Sequence, residues 1–428
     1  MRIRGIQNPA TACHVSGPIL LLAYAMTPLA RVLMEAAPLR PDAALLQSLA
    51  AVLRALLGTE ESGAVDATDV YERLGKAVSI RVHDLGDATS SLSKLLSALR
   101  DDAMLAEVVE KAFFSGACAS LLTGERVENG MLFRRTKRTK TVILPVPFHV
   151  SLHASSTMTD DTVSLQQLLS KNMSARPLNG YNWSGDYEET TVPIHELSVD
   201  GGPFVTTDSW QTRKQLELLG VPPIWLIHVD RFSSVQGRIM SHRQICDIPL
   251  VLDTEKDVGL TGDSQLYRLS GAVLHVADDT DSDEEEAGHY VTLVRTPHAE
   301  DESSIWTLVD DSQTTRVSQD TALKLLAGSE SNLSENGTYM QATLLVYESP
   351  TLSETMDIFE NKILEQVAEA KKLGESLIGR RLQFLWSKGK YYAGEVAAFD
   401  PQTGKHTIRY DDGDIRTYNL SKKTIQWV

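Results

Sequence analysis

The chain has 428 residues, enough for two or three compact domains. Its 42% hydrophobic and 23% charged residues exclude a wholly disordered or fibrous protein. The net charge of −16 is uneven: residues 375–428 hold nine Lys/Arg against six Asp/Glu, so the remainder carries −19, which argues against direct nucleic-acid binding and for a basic partner.

Three cysteines, Cys13, Cys118 and Cys246, stand far apart, and no Cys-x-x-Cys pair occurs. Neither a disulfide framework nor a zinc ribbon is expected, and no cofactor is called for. Such usage suits the cytoplasm or nucleus, where a thiol stays free to react. Ile19–Met26 is apolar and follows two arginines. It is too short to span a bilayer and lacks a small-residue cleavage site, so neither a signal peptide nor a membrane anchor is expected.

From Ser16 to about Ala117, apolar residues recur at three- and four-residue spacing, most clearly in Ala43–Leu57, then in Ser91–Leu99 and Met104–Phe114. That periodicity predicts helices. From about Met131 the segments turn rich in Val and Ile. Thr141–His153, Ile224–Val229, Gln265–Val276, His289–Arg295, Ile305–Val309 and Gln341–Tyr347 read as strands. Helices followed by a mostly antiparallel sheet define an α+β body over residues 1–350. Two polar stretches, the acidic run Asp278–Glu286 and Ser329–Thr338, read as mobile insertions. Met356–Leu373 reads as a charged amphipathic helix, a spacer over 351–374. Residues 375–428 then offer short strands broken by Gly, Pro and Asp turns, the pattern of a small closed barrel.

A cysteine attacks as thiolate and needs a helix N-terminus or a histidine beside it. Cys13 follows the irregular stretch Gln7–Ala12 and precedes apolar residues. Read alone, it is as well a buried structural cysteine, and His289 a structural histidine. Their flanks add more. Gly5-Ile6-Gln7-Asn8-Pro9-Ala10-Thr11-Ala12-Cys13 resembles the cysteine box of ubiquitin-specific proteases, Gly-Leu-x-Asn-Leu-Gly-Asn-Thr-Cys. It departs from that box at Pro9 and Ala10, and again beyond the cysteine, from His14 onward. Gly288-His289-Tyr290, followed by Arg295, resembles the family's histidine strand, and Trp306-Thr307-Leu308-Val309-Asp310-Asp311 its Trp-x-x-Phe-Asp-Asp. Leu219–Phe232 and Tyr267–His275 resemble two further family blocks, in the family's order. Asp87-Ala88 and Leu92 are similar to the family's Gln-Asp-Ala helix, with Gly86 in place of the glutamine.

This resemblance implies a papain-like hand with a helical thumb and with β fingers and palm. Cys13 is the implied nucleophile, His289 the base, Asp310 its orienter and Asn8 the oxyanion donor. Tyr290 and Asp311 are assigned to substrate binding. The implied partner is ubiquitin or a ubiquitinated protein, whose isopeptide bond the enzyme hydrolyses. A noncatalytic ubiquitin-binding adaptor on the same fold is the alternative. Many members hold zinc on two Cys-x-x-Cys pairs in the fingers; Phe133–Lys140 has none, so metal-free fingers are expected. The C-terminal segment resembles Tudor domains through Tyr392-Ala-Gly-Glu-Val396 and Tyr410-Asp-Asp-Gly-Asp414. That likeness implies an aromatic cage of Trp386, Tyr392, Tyr410 and, since Arg416 falls at the fourth wall, Tyr418. Its implied partner is a methylated histone or another methylated protein, held by cation–π attraction.

Overall fold

The structure is a computed structural model describing residues 3–8, 12–58, 63–78, 86–114, 118–141, 143–147, 163–173, 175–193, 209–218, 222–235, 238–241, 246–258, 264–278, 289–296, 305–328, 338–385, 390–401 and 403–428. Trp386, Pro9, Ala10, Gly288, the acidic run beyond Asp278 and residues 329–337 lie outside them.

The described residues between 12 and 114 are mainly helical, as their periodicity predicts. Helices Cys13–Leu20, Thr27–Ala36, Ala44–Leu57, Thr68–Val78 and Ala88–Arg100 pack their apolar faces together. The run that resembled a signal peptide is interior: Leu21–Ala25 forms a π-helical turn, every residue buried. No single described helix is long and apolar enough to cross a membrane. The expected helix Met104–Phe114 is shorter, Ala106–Val109, and passes into a second π turn, Glu110–Phe114.

The helices rest on an eight-stranded sheet. Its main path runs Gln313–Val317, Ile305–Asp310, His289–Thr296, Leu266–Asp278, Thr338–Glu348, Ile224–Asp230, Ile143–Pro147, with Val251–Asp253 paired beside Leu266–Asp278. Every pairing is antiparallel except the last on the path, Ile143–Pro147 against Ile224–Asp230. Both faces are covered, which is why the strands read as nearly continuous apolar runs. Leu226, Val273, Val294 and Val346 face the helical core. Their neighbours Trp225, Ile227, Leu274, Leu293 and Leu345 join a second core, roofed by helices Leu165–Met173 and Gln319–Ala327.

An outer sheet of five strands, ordered Arg176–Pro177, Gln211–Leu218, Cys118–Glu128, Met131–Thr141, Glu188–Pro193, occupies the place expected for fingers. Rings and guanidinium groups stack on one of its faces. Arg135 lies 4.0 Å over Trp210 and 4.6 Å over Tyr187, and Trp183 meets Tyr187 edge-on at 5.6 Å.

The helix expected as a spacer is docked. Leu352–Glu375 buries Leu352, Met356, Phe359 and Ile363 in the helical core. Ion pairs flank this seam: Arg31 with Asp357 and Glu360, and Lys362 with Glu107. The C-terminal strands form a five-stranded antiparallel sheet in the order Ile415–Tyr418, Lys405–Tyr410, Tyr391–Asp400, Arg381–Leu385, Ile425–Trp427. Among the described residues its two edge strands do not pair, so the closure expected of a barrel is not part of this ladder.

Candidate active site

Cys13 is the first residue of its helix, with Ala12 as N-cap, and is only 8% exposed. The Ala12 carbonyl accepts the first helical hydrogen bonds, from the amides of Val15 and Ser16. The sulfur therefore sits at the positive end of the helix dipole.

The stretch before it is pinned on both sides. Asp310 pairs with Gln313 around the two-residue turn Asp311–Ser312. Asp311 there holds φ 48°, the left-handed conformation that tight hairpins demand and Asp tolerates. The Asp311 carbonyl thereby accepts from the Ile6 amide at 2.9 Å. It lies so near Gly5 that a Cβ at that position would come within 2.0 Å of it. The glycine eight residues before the cysteine is thus required by a close approach. On the other side Gln7 N–H donates to the Val65 carbonyl, and Val65 N–H to that of Gly5.

His289 opens one strand and Asp310 closes its antiparallel neighbour, paired from Thr292–Val309 to Thr296–Ile305. That register returns the carboxylate to the ring, as the sequence predicted. His289 Nε2 lies 2.6 Å from Asp310 Oδ1 and 4.0 Å from Asp311 Oδ2. Cys13 lies close enough to the ring to act on its charge. The ring's pKa is held up at about 10, by the Asp310 hydrogen bond first and by Cys13 second, against the opposing effect of burial. At neutral pH the ring is therefore an imidazolium, the partner a thiolate needs.

Asn8 is placed differently from the expectation. Its Nδ2 donates to Asp311 Oδ2 at 3.1 Å, and its Oδ1 accepts the Ala12 amide at 3.0 Å. The amide expected to face an oxyanion is here turned onto a carboxylate. Burial keeps Asp311 above the usual carboxylate range, and the Asn8 hydrogen bond pulls the other way. Tyr290, expected to touch substrate, is partly buried against the helical core. Ala88 begins the helix capped by Asp87, whose carboxylate accepts from Ser90 N–H at 2.6 Å.

Three residues to which sequence reasoning gave no role also matter. His275 meets Tyr290 edge-on at 5.3 Å. Burial, and then the charge on His289, push its pKa down to about 4, so it is neutral beside a charged neighbour. His14 and Gly86, read separately as departures from the family pattern, fit one another. A Cβ on Gly86 would lie 2.3 Å from the His14 ring. Their signal lay in the pair: a larger residue after the cysteine and a vanished side chain in the facing segment.

His289, Asp310 and Asp311 bring ligand-type atoms within 4.8 Å of one another, the only such group among the described residues. The direct bond from His289 to Asp310 suits this trio to acid–base work. In the C-terminal module, Tyr410 is 4% exposed and packs in the core against Phe384. Tyr418 stacks on Phe384 at 4.8 Å and is covered by Lys423. Of the expected cage only Tyr392 is openly exposed among the described residues.

Fold and site together define a mixed helix-and-sheet protease-like architecture. Residues 4–347 match the ubiquitin carboxyl-terminal hydrolase family, and the chain belongs to that family. Its fold is similar to that in a solved SAGA DUB module of Ubp8, Sgf11, Sus1 and Sgf73 bound to monoubiquitin, with TM-score 0.55, 16% identity, and coverage of 81% of this chain and 69% of that one. A second solved form of that module, bound to ubiquitin aldehyde, gives TM-score 0.54 at 15% identity, with the same 81% and 69% coverage. Two short matches involve Arabidopsis thaliana proteins. DNA mismatch repair protein MSH6 is 32% identical over 56 residues, 13% of this chain and 4% of that protein. Sister chromatid cohesion protein PDS5 homolog A is 38% identical over 60 residues, 14% of this chain and 4% of that protein. The chain thus spans a small fraction of either.

Proposed function

We propose that this chain is an active thiol-dependent deubiquitinase, hydrolysing isopeptide bonds at the C-terminal glycine of ubiquitin. The observation that carries the proposal is the hydrogen bond from Asp310 to His289, with Cys13 near enough to that ring to help hold it charged at neutral pH. Cys13 Sγ attacks the glycine carbonyl as thiolate. The tetrahedral oxyanion is held by backbone N–H groups at the start of the Cys13 helix and by Asn8 once it turns from Asp311; donors of this kind contribute about 3–4 kcal/mol each. His289 gives its proton to the departing lysine amine, then deprotonates the water that hydrolyses the thioester, while Asp310 fixes its tautomer. The ubiquitin bound in the similar structures supports ubiquitin as the ligand.

The C-terminal module is a Tudor-like docking domain in this reading. The two short matches, to proteins named for mismatch repair and chromatid cohesion, favour a chromatin-associated partner and a nuclear site of action. Capture of a methylated side chain requires Tyr418 to leave Phe384, because Tyr410 is committed to the core.

The test is labelling with ubiquitin bearing a C-terminal electrophile. The wild-type chain forms a covalent adduct and Cys13→Ala does not; an adduct on the alanine variant would remove Cys13 as nucleophile. Ubiquitin binding without any adduct on the wild type identifies the noncatalytic adaptor. Parallel probes built on ubiquitin-like proteins fix the modifier.

A further inference from the structure

Behind the nucleophile lies a buried tyrosine that the reaction described above does not use. Tyr71, on helix Thr68–Val78, is 2% exposed, and its hydroxyl lies 2.7 Å from Ser16 Oγ. Ser16 is one turn beyond Cys13, and its Oγ donates to the Ala12 carbonyl at 3.2 Å. The orientation that satisfies all three groups has Tyr71 donating to Ser16 and Ser16 to Ala12. The peptide unit before Cys13 is thereby held by its carbonyl, while the Ala12 N–H is held by Asn8 Oδ1 at 3.0 Å. Asn8 continues the track to Asp311 at 3.1 Å. Tyr71 feels the same neighbourhood: burial first, then the charges of Asp311, Asp66 and Cys13, push its pKa to about 12, against the Ser16 hydrogen bond. It stays a neutral donor throughout the working range.

We infer that Tyr71 and Ser16 are positioning residues, fixing the Ala12–Cys13 peptide so that the Cys13 backbone N–H meets the oxyanion of the tetrahedral intermediate. The inference rests on the deubiquitinase reading. Buried hydrogen-bond chains fix orientation more sharply than packing does, and a misplacement of about 1 Å near the reacting atoms can cost on the order of 10²-fold in rate. Helix Thr68–Val78 suits this task because the segment leading into it is itself bridged, through Val65, to Gly5 and Gln7 of the nucleophile stretch. The two ends of the track therefore move together.

The prediction separates two reactions of one sulfur. Alkylation by iodoacetamide is a displacement that needs thiolate but no oxyanion site, whereas hydrolysis of a ubiquitin C-terminal fluorogenic reporter needs both. In the full chain, Tyr71→Phe keeps the ring and should lower kcat about tenfold, with KM within about twofold. The rate and pH profile of Cys13 alkylation should stay at wild-type values. Ser16→Ala should behave alike, and the double variant should be no worse than either single, since one chain is broken once. Wild-type kcat in both variants, or alkylation and hydrolysis falling in parallel, overturns the inference. A wild-type chain that is alkylated but never hydrolyses the reporter overturns the enzyme reading itself, a distinct result.

Discussion

His275 and His289 lie on neighbouring strands, with His275 opposite Tyr290 and Val276 opposite His289, yet they hold opposite protonation states at neutral pH. The environment sets the difference: a carboxylate faces one ring, while the other is buried against an aromatic edge. Opposite stability dependences follow. His275 has a folded pKa of about 4 against an ordinary 6.5, so between these values the unfolded chain binds more protons. Stability is lost as pH falls through that window, by up to about 3 kcal/mol at full effect. His289 is raised to about 10, so its contribution is complete below 6.5 and fades as pH climbs through 10. Urea unfolding from pH 7 down to 4 should show a steeper decline for the wild type than for His275→Gln; identical slopes would mean that His275 is solvated. The pairing of His289 with Asp310 was legible in sequence because two strands and a short connection fix it. The contact of Ser16 with Tyr71 was not, because it joins residues 55 apart whose types carry no signal of their own. Asn8 was legible as a residue of the site but not in its orientation, which depends on a carboxylate 303 residues away.

At the scale of elements, the site is a junction of three short pieces: the stretch before Cys13, the Asp311–Ser312 hairpin and the segment around Val65. Each supplies backbone groups to another, so the junction is stiff although none of the three is a long element. Gly5 shows how closely they meet. Gly5→Ala sets a methyl against the Asp311 backbone carbonyl, which cannot swing aside as a side chain can. The variant should lose about 1–3 kcal/mol in chemical denaturation and label more slowly at Cys13. Unchanged labelling would show that the hairpin yields without disturbing the sulfur. Helices Ala44–Leu57 and Ala88–Arg100 and most strands of the eight-stranded sheet could be read from periodicity. The π turns could not, since Leu21–Ala25 is apolar on every side and offers no face to read. The docking of the last helix was not legible for a related reason. Its buried residues Leu352, Met356, Phe359 and Ile363 occupy the first half, while the second half is charged and exposed, and composition averages the two.

For the whole molecule, that helix joins the protease body to the basic module as one mechanical piece. Lys422 pairs with Asp42 on the helical half, and His406 Nε2 lies 3.1 Å from the Gly374 carbonyl. Truncation after residue 375 should leave the body close to its original melting temperature. Truncation before Leu352 strips four core side chains and should lower it by several degrees, each large apolar group contributing about 1.5–3 kcal/mol. Equal melting temperatures for the two truncations would make the helix a tether after all.

The outer sheet carries a different consequence. Where thiolates clamp a metal, strength depends on metal supply and on keeping sulfur reduced. Here Arg135 is sandwiched among Trp210 and Tyr187, and its guanidinium also binds Glu189 at 2.6 Å. Such a clasp has nothing for a chelator to extract and no sulfur for peroxide to attack. The clasp should hold through metal starvation and oxidative stress, while the sheet's own sulfur atoms belong to Cys118 and Met131, each the first residue of its strand.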